Sequence, residues 1–167
     1  MNHIFLIGFM GCGKSAVSTY LSEHYNMDVV EMDEEIVRRE KMNIPQIFEC
    51  KGEPYFRDVE SQILQELETQ NQKVVSCGGG AVLREKNVEF MKNNGMVILL
   101  TAEPETILER VKNDNNRPLL KGNYSVKYIR ELLEKRSSHY KKAADVIIKT
   151  DNKDISEICK EILEYRR

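Results

Sequence analysis

The chain has 167 residues, 31% charged and 41% hydrophobic, with a formal net charge of −2; this is an ordinary globular balance with enough volume for one core. So small a net charge supplies no basic field for nucleic acid or an anionic membrane, and any anion site must be local, built from a few placed residues. No run of 18 apolar residues offers a membrane span, and the four cysteines, Cys12, Cys50, Cys77 and Cys159, are scattered with no C-x-x-C pair, which points to reduced thiols in a cytoplasmic protein rather than to zinc or disulfides.

The opening residues, Met1 to Gly8, read as a buried strand and lack the charged leader and cleavage site of a secretory signal. Strands rich in Val, Ile and Leu are predicted at Ile4–Ile7, Asp28–Met32, Val74–Cys77, Met96–Leu100 and Asp145–Ile148. Helical patterns lie between them: Val17, Tyr20 and Leu21; then Phe56, Val59, Ile63, Leu64 and Leu67; then Ile107, Leu108 and Val111 behind Pro104. A further helix starts near Ser125 and puts Ile129, Leu132, Leu133, Arg136 and Tyr140 on one face, and a last one carries Ile155, Ile158, Ile162 and Leu163. This alternation predicts an α/β fold, a parallel sheet between two helical layers, in one domain over 1–167. Residues 113–123 break the rhythm with a polar, turn-rich run containing Arg117 and Pro118; such excursions are lids, binding loops or plain disorder.

Gly8-Phe9-Met10-Gly11-Cys12-Gly13-Lys14-Ser15 matches the whole P-loop pattern, between an apolar strand and a helix. Its glycines let the backbone wrap phosphates, so Gly11, Cys12, Gly13 and Ala16 are expected to bind ATP. Lys14 is expected to reach the β- and γ-phosphates, and the Ser15 hydroxyl to hold Mg²⁺. The motif alone means a nucleoside triphosphate and does not separate a kinase from a GTPase or a motor.

The acceptor side is sought beyond the carboxyl ends of the strands. The second strand runs into Glu31-Met32-Asp33, where alternation would put both acids on one side. Asp33 could take a proton from, or orient, an attacking hydroxyl while Glu31 holds Mg²⁺ directly or through water; Asp33 equally suits the start of a helix. The third strand runs into Gly78-Gly79-Gly80, which reads as close approach of backbone to a ligand, or as a flexible turn. Arg57, with Glu60 three residues on, is either an acceptor-binding cation or a plain surface ion pair. Arg136 falls on an apolar stripe, so it must meet an internal carboxylate or a ligand anion. Arg117 could close over phosphates in the manner of a lid arginine, with Arg110 assisting.

Taken in order, Gly8–Ser15, the acid pair ending in Asp33, Phe56-Arg57…Glu60, Gly78-Gly79-Gly80, Arg117-Pro118-Leu119-Leu120 and Arg136…Tyr140 resemble the shikimate kinases, in the nucleoside-monophosphate-kinase-like P-loop group. The resemblance runs from Ile4 to about Thr150. It implies a three-layer P-loop kinase fold with five parallel strands in the order 2-3-1-4-5 and a mobile lid, and phosphoryl transfer from ATP to the 3-hydroxyl of shikimate on the way to aromatic amino acids. It implies that Arg57 and Arg136 bind the shikimate carboxylate, Asp33 meets the reacting hydroxyls, Gly79 and Gly80 give backbone contacts, and Ile44, Phe48 and Phe56 form an apolar wall. Arg110 and the segment around Asp151 would border the adenine, Arg117 would be the lid arginine, and the enzyme would be a monomer. Two positions depart from the family pattern: Glu31 stands where an Asp is usual, and Ser18 where Gly is frequent. The alternatives are a gluconate kinase-like enzyme of the same group, whose acceptor would not need two arginines, and a nucleotide-binding regulatory module without an acceptor.

Overall fold

The structure is a computed structural model that describes residues 2–112 and 125–166; the expected lid and Arg117 lie outside the described residues. Five parallel strands form one sheet in the order β2-β3-β1-β4-β5. They are β1 (His3–Ile7), β2 (Val29–Glu31), β3 (Val74–Ser76), β4 (Gly95–Thr101) and β5 (Val146–Lys149). The helices are α1 (Lys14–Tyr25), α2 (Met32–Glu40), α3 (Ile44–Glu66), α4 (Glu85–Asn94), α5 (Pro104–Val111), α6 (Val126–Ala143) and α7 (Ile155–Tyr165). Among the described residues no helix is long and apolar enough to cross a membrane.

Every residue of β1 and β3 is buried, which requires cover on both faces of the sheet centre. That cover comes from helices packed in neighbouring pairs, α1 with α7, α2 with α3, α3 with α4 and α5 with α6. The edge differs: along β5, Ile148 is buried while Ile147 is 53% exposed, so alternation returns where one face meets solvent.

One element begins earlier than the sequence pattern predicts. β2 stops at Glu31, and Met32 is already the first residue of α2, whose first turn carries Asp33, Glu34 and Glu35. Acids at a helix N-terminus are stabilised by the dipole, and here that preference outweighs the strand pattern. Asp33 therefore reaches the site from a helix and not from strand alternation with Glu31.

The second element that departs from regularity is α3. An Asn43–Gln46 capping box starts it, and it breaks at Gly52 (φ 82°, ψ 164°), two residues before Pro54. The left-handed φ suits glycine alone, and Pro54 then falls in the first turn of the second half, where its missing N–H costs little. Arg57 is thus placed in the opening turns of a new helix.

Candidate active site

At the exit of β1, Gly8, Gly11 and Gly13 all have positive φ. Gly13 caps α1 with no side-chain hydrogen bond, and the first turn of α1 holds no acid. The positive end of that helix is therefore left for an anion. Lys14 arches back over the loop, its Nζ donating to the carbonyls of Gly8 (2.7 Å) and Phe9 (3.0 Å). The Cys12 amide donates to Phe9 O at 3.2 Å, and its buried thiol has a pKa raised by burial, so Cys12 shapes the loop and is no nucleophile. Arg110 fastens the loop from α5: its guanidinium donates to Gly11 O at 2.8 Å and to Thr150 Oγ1 at 3.3 Å.

A cavity of about 710 Å³ opens along this loop. Gly11, Gly13, Lys14, Ser15 and Ala16 line its phosphate side, with Arg110. Glu31, Asp33, Ile44, Gly78 and Gly79 line the other. Ser15 Oγ donates to Glu31 Oε2 at 3.0 Å, and Ser18 donates to Glu31 Oε1. Hydroxyl and carboxylate oxygens side by side, next to a phosphate cradle, fit a hard cation such as Mg²⁺. Among the described residues no group of three or more His, Cys, Asp or Glu could hold a metal, so the remaining oxygens of such a site would come from nucleotide and water.

The acceptor side is assembled around the glycine turn that follows β3. A Cβ at Gly80 would overlap the Arg57 guanidinium, one at Gly78 would overlap the Glu60 carboxylate and lie 3.2 Å from Asp33 Oδ1, and one at Gly79 would sit 3.4 Å from Arg136 Nη1. None of these three glycines has positive φ. Beside the ligand approach that the sequence suggests, the structure shows the protein's own charged side chains lying close to this turn. Space for those groups, and not backbone freedom, is what the glycines provide.

Those charges are deeply set. Arg57 is 8% exposed and Glu60 is fully buried, which removes the surface-pair reading. Arg57 donates from Nη1 to Glu60 Oε1 (2.6 Å) and from Nη2 to Glu53 Oε1 (3.1 Å). Burial would lower the Arg57 pKa, but the carboxylates of Glu60 and Glu53 more than offset it and hold the guanidinium charged. For Glu60 burial wins, and its pKa rises to about 6 despite Arg57. Arg136 is also 8% exposed, stacked 5.8 Å from the Phe9 ring. Among the described residues, Arg136 Nη1 and Glu60 Oε2 are the buried side-chain atoms without a hydrogen-bond partner. A buried guanidinium nitrogen without an acceptor costs free energy unless a ligand supplies one.

Phe56 packs beside Arg57 and meets the half-buried Phe48 ring at 5.0 Å, 50° between planes. Arg57, Gly80, Arg136, Phe48 and Phe56 do not themselves line the 710 Å³ cavity; Arg57 and Arg136 connect to it through Gly78, Gly79 and Glu60. Asp151 is also outside it, its carboxylate accepting from Glu103 N (3.1 Å) and Thr106 Oγ1 (2.6 Å) to anchor the start of α5. Two residues that the sequence reading named without giving them a place in the site contribute to it. Tyr140 Oη donates to Gly79 O at 2.6 Å, locking the turn, and burial pushes its phenol up to about 12. Its signal was the four-residue spacing from Arg136 on one helix face. Glu60 was visible only as a partner of Arg57, since burial cannot be read from an i, i+3 pair.

The family model for shikimate kinase matches residues 10–166. A shikimate kinase of Dehalococcoides mccartyi is 45% identical over 166 residues, covering 99% of this chain and 94% of that protein. A solved shikimate kinase from Acinetobacter baumannii, in complex with shikimate, superposes with a TM-score of 0.93 at 35% identity, covering 99% of this chain and 93% of the other. The Aquifex aeolicus shikimate kinase structure gives a TM-score of 0.80 at 40% identity, with 98% and 95% covered. With a P-loop, an acid at the exit of the second strand and two buried arginines around a glycine turn, the chain belongs to the shikimate kinase family.

Proposed function

We propose that this protein transfers the γ-phosphate of ATP to the 3-hydroxyl of shikimate, a step toward chorismate and the aromatic amino acids. The observation that carries the reading is the buried Arg136 with an unpartnered Nη1, set beside Gly79, one residue from Gly78, which lines the same cavity as Asp33. A planar carboxylate answers that nitrogen and the neighbouring Arg57 in the geometry guanidinium groups favour. An acid so held turns its hydroxyls toward Asp33 and the P-loop, while Ile44, Phe48 and Phe56 close its apolar side.

Catalysis is then positioning and electrostatics. The acceptor oxygen forms a bond to the γ-phosphorus as the bond from that phosphorus to the β-bridging oxygen breaks, releasing ADP. Asp33 orients the hydroxyl and receives its proton. Lys14 moves from the Gly8 and Phe9 carbonyls to the β- and γ-phosphate oxygens, and Arg117 adds positive charge at the transferring group. Mg²⁺, held through Ser15 and Glu31, supplies neutralisation of phosphate charge when bound. The adenine borders Arg110 and the turn at Thr150 and Asp151. The reading extends to a cytoplasmic enzyme, in keeping with its four free cysteines, and to a monomer.

The deciding experiment is ADP release from ATP and Mg²⁺, with and without shikimate. Strong stimulation by shikimate is expected. ATP binding without stimulation by shikimate, and turnover with another hydroxylated acid, would replace the acceptor and leave the nucleotide site standing.

A further inference from the structure

Ser18 is fully buried in the second turn of α1. Its hydroxyl has one proton and two acceptors within reach, the Ser15 carbonyl at 2.9 Å and Glu31 Oε1. A charged acceptor makes the stronger bond, so the proton belongs to Glu31. Ser15, three residues earlier and thus on the same helix face, donates to the other oxygen, Oε2, at 3.0 Å. Both oxygens of one carboxylate are therefore fixed by two hydroxyls on neighbouring turns of the P-loop helix. Glu31 is also the N-cap position of α2, yet its side chain makes no capping bond there; the carboxylate is committed across the cavity to α1 instead.

We propose that Ser18 is a positioning residue for divalent-cation binding. It holds the Glu31 carboxylate on α1 so that Ser15 and Glu31 meet the cation already oriented. This rests on the reading of Ser15 and Glu31 as the metal-binding pair. A hydroxyl that ligates through a lone pair keeps its proton, so Ser15 can serve the cation and still hold Oε2. Ser18, buried behind it, takes no part in ligation and has only the orienting task. Outer partners of this kind commonly govern metal affinity by about 10-fold or more. The arrangement also ties Glu31 to Ser18 by length: an aspartate at 31 is shorter by one methylene and leaves the Ser18 hydroxyl to the Ser15 carbonyl.

The test uses Mn²⁺ as the probe, its binding to the full chain with ADP present followed by the electron paramagnetic resonance signal of free Mn²⁺. ADP affinity in EDTA and the thermal midpoint are measured alongside. Ser18→Ala is expected to weaken Mn²⁺ about 10-fold while metal-free ADP binds as in the parent. Ser18→Cys, close in volume with a weaker donor, should fall between. In a Glu31→Asp background Ser18→Ala should cost little more, the non-additivity that marks a shared contact. Parental Mn²⁺ affinity in Ser18→Ala overturns the proposal, and so does a loss of metal-free ADP affinity equal to the loss of Mn²⁺ affinity, which marks a purely structural role. If the parent itself binds Mn²⁺ no better with ADP than a Glu31→Ala variant does, the metal-pair reading fails, and the shikimate-stimulated assay is untouched by that result.

Discussion

The two halves of the candidate site are built for anions by opposite means. On the nucleotide side the anion meets backbone: three positive-φ glycines, an uncapped helix end and one lysine, all within Gly8 to Ser15. On the acceptor side the charges are side chains from α3 and α6, buried and crowded against a glycine turn. A phosphate cradle of the first kind accepts any nucleoside triphosphate. The second kind demands a particular small acid, because buried charges left without a partner are costly. On the proposed reading, selectivity for the acceptor comes from preorganised cost, and nucleotide binding from a generic geometry.

Substitutions can break this contrast in order of expected effect. Asp33→Asn, at the boundary of the two halves, should lower kcat by about 10³-fold, within the range for loss of a positioned acid–base group, while ATP affinity stays near parental. Steady-state kinetics together with ATP binding by calorimetry checks it, and an unchanged kcat removes Asp33 from the chemistry. Arg136→Met should raise the acceptor KM about 100-fold, in line with loss of a buried charge-assisted pair, with the KM for ATP unmoved. Equal increases in both constants would mean that the halves are not separable.

Glu60 sharpens the comparison through pH. Its folded pKa is raised from 4.5 to about 6 by burial, so the protonated form is favoured by folding. Its contribution to stability, about 2 kcal/mol, is fully present below the unfolded value and is lost as pH rises through about 6. Unfolding monitored between pH 4.5 and 7 should show this decline in the parent, and Glu60→Gln should flatten it. No difference in slope would mean that Glu60 remains ionised throughout. The smallest effect is expected from Tyr140→Phe, which removes the bond to Gly79 O and costs about 1 kcal/mol. It should act on the acceptor KM and leave the nucleotide half alone.

The same contrast explains what the sequence made legible. The phosphate half is contiguous, so eight residues and their flanking strand and helix define it. The strand order follows because each strand–helix unit is legible from its own periodicity and the family pattern joins them. The acceptor half draws on residues 33, 57, 60, 78–80, 136 and 140, and their mutual contacts exist only after folding. The pattern identified Arg136 as a charge on a buried face. It could not show that Gly80 makes room for Arg57, or that Glu60 is buried rather than solvated. At Glu31-Met32-Asp33 strand alternation and helix-start acidity compete, so the sequence leaves Asp33 between the exit of a strand and the start of a helix; the structure takes the helix, beginning at Met32. Asp151 is drawn into anchoring α5 by Thr106 and Glu103, long-range bonds that no local pattern reports.

The break at Gly52 has a consequence for how acceptor choice can change. It divides α3 into a leading piece with Ile44 and Phe48 and a trailing piece with Arg57 and Glu60. Ile44 and Phe48 are thereby carried on one rod, and the charges, with Phe56 beside them, on a second joined to it at a single residue. Substitutions at Ile44, which lines the cavity, can reshape it for a bulkier or slimmer ring while the arginine stays seated against its glycine; changes at Phe48 reach Arg57 through Phe56. In an unbroken helix each such change would also be transmitted along the backbone to the ion pair; here the break removes that route, and the Phe48–Phe56 ring contact beside Arg57 links the two kinds of recognition through side chains.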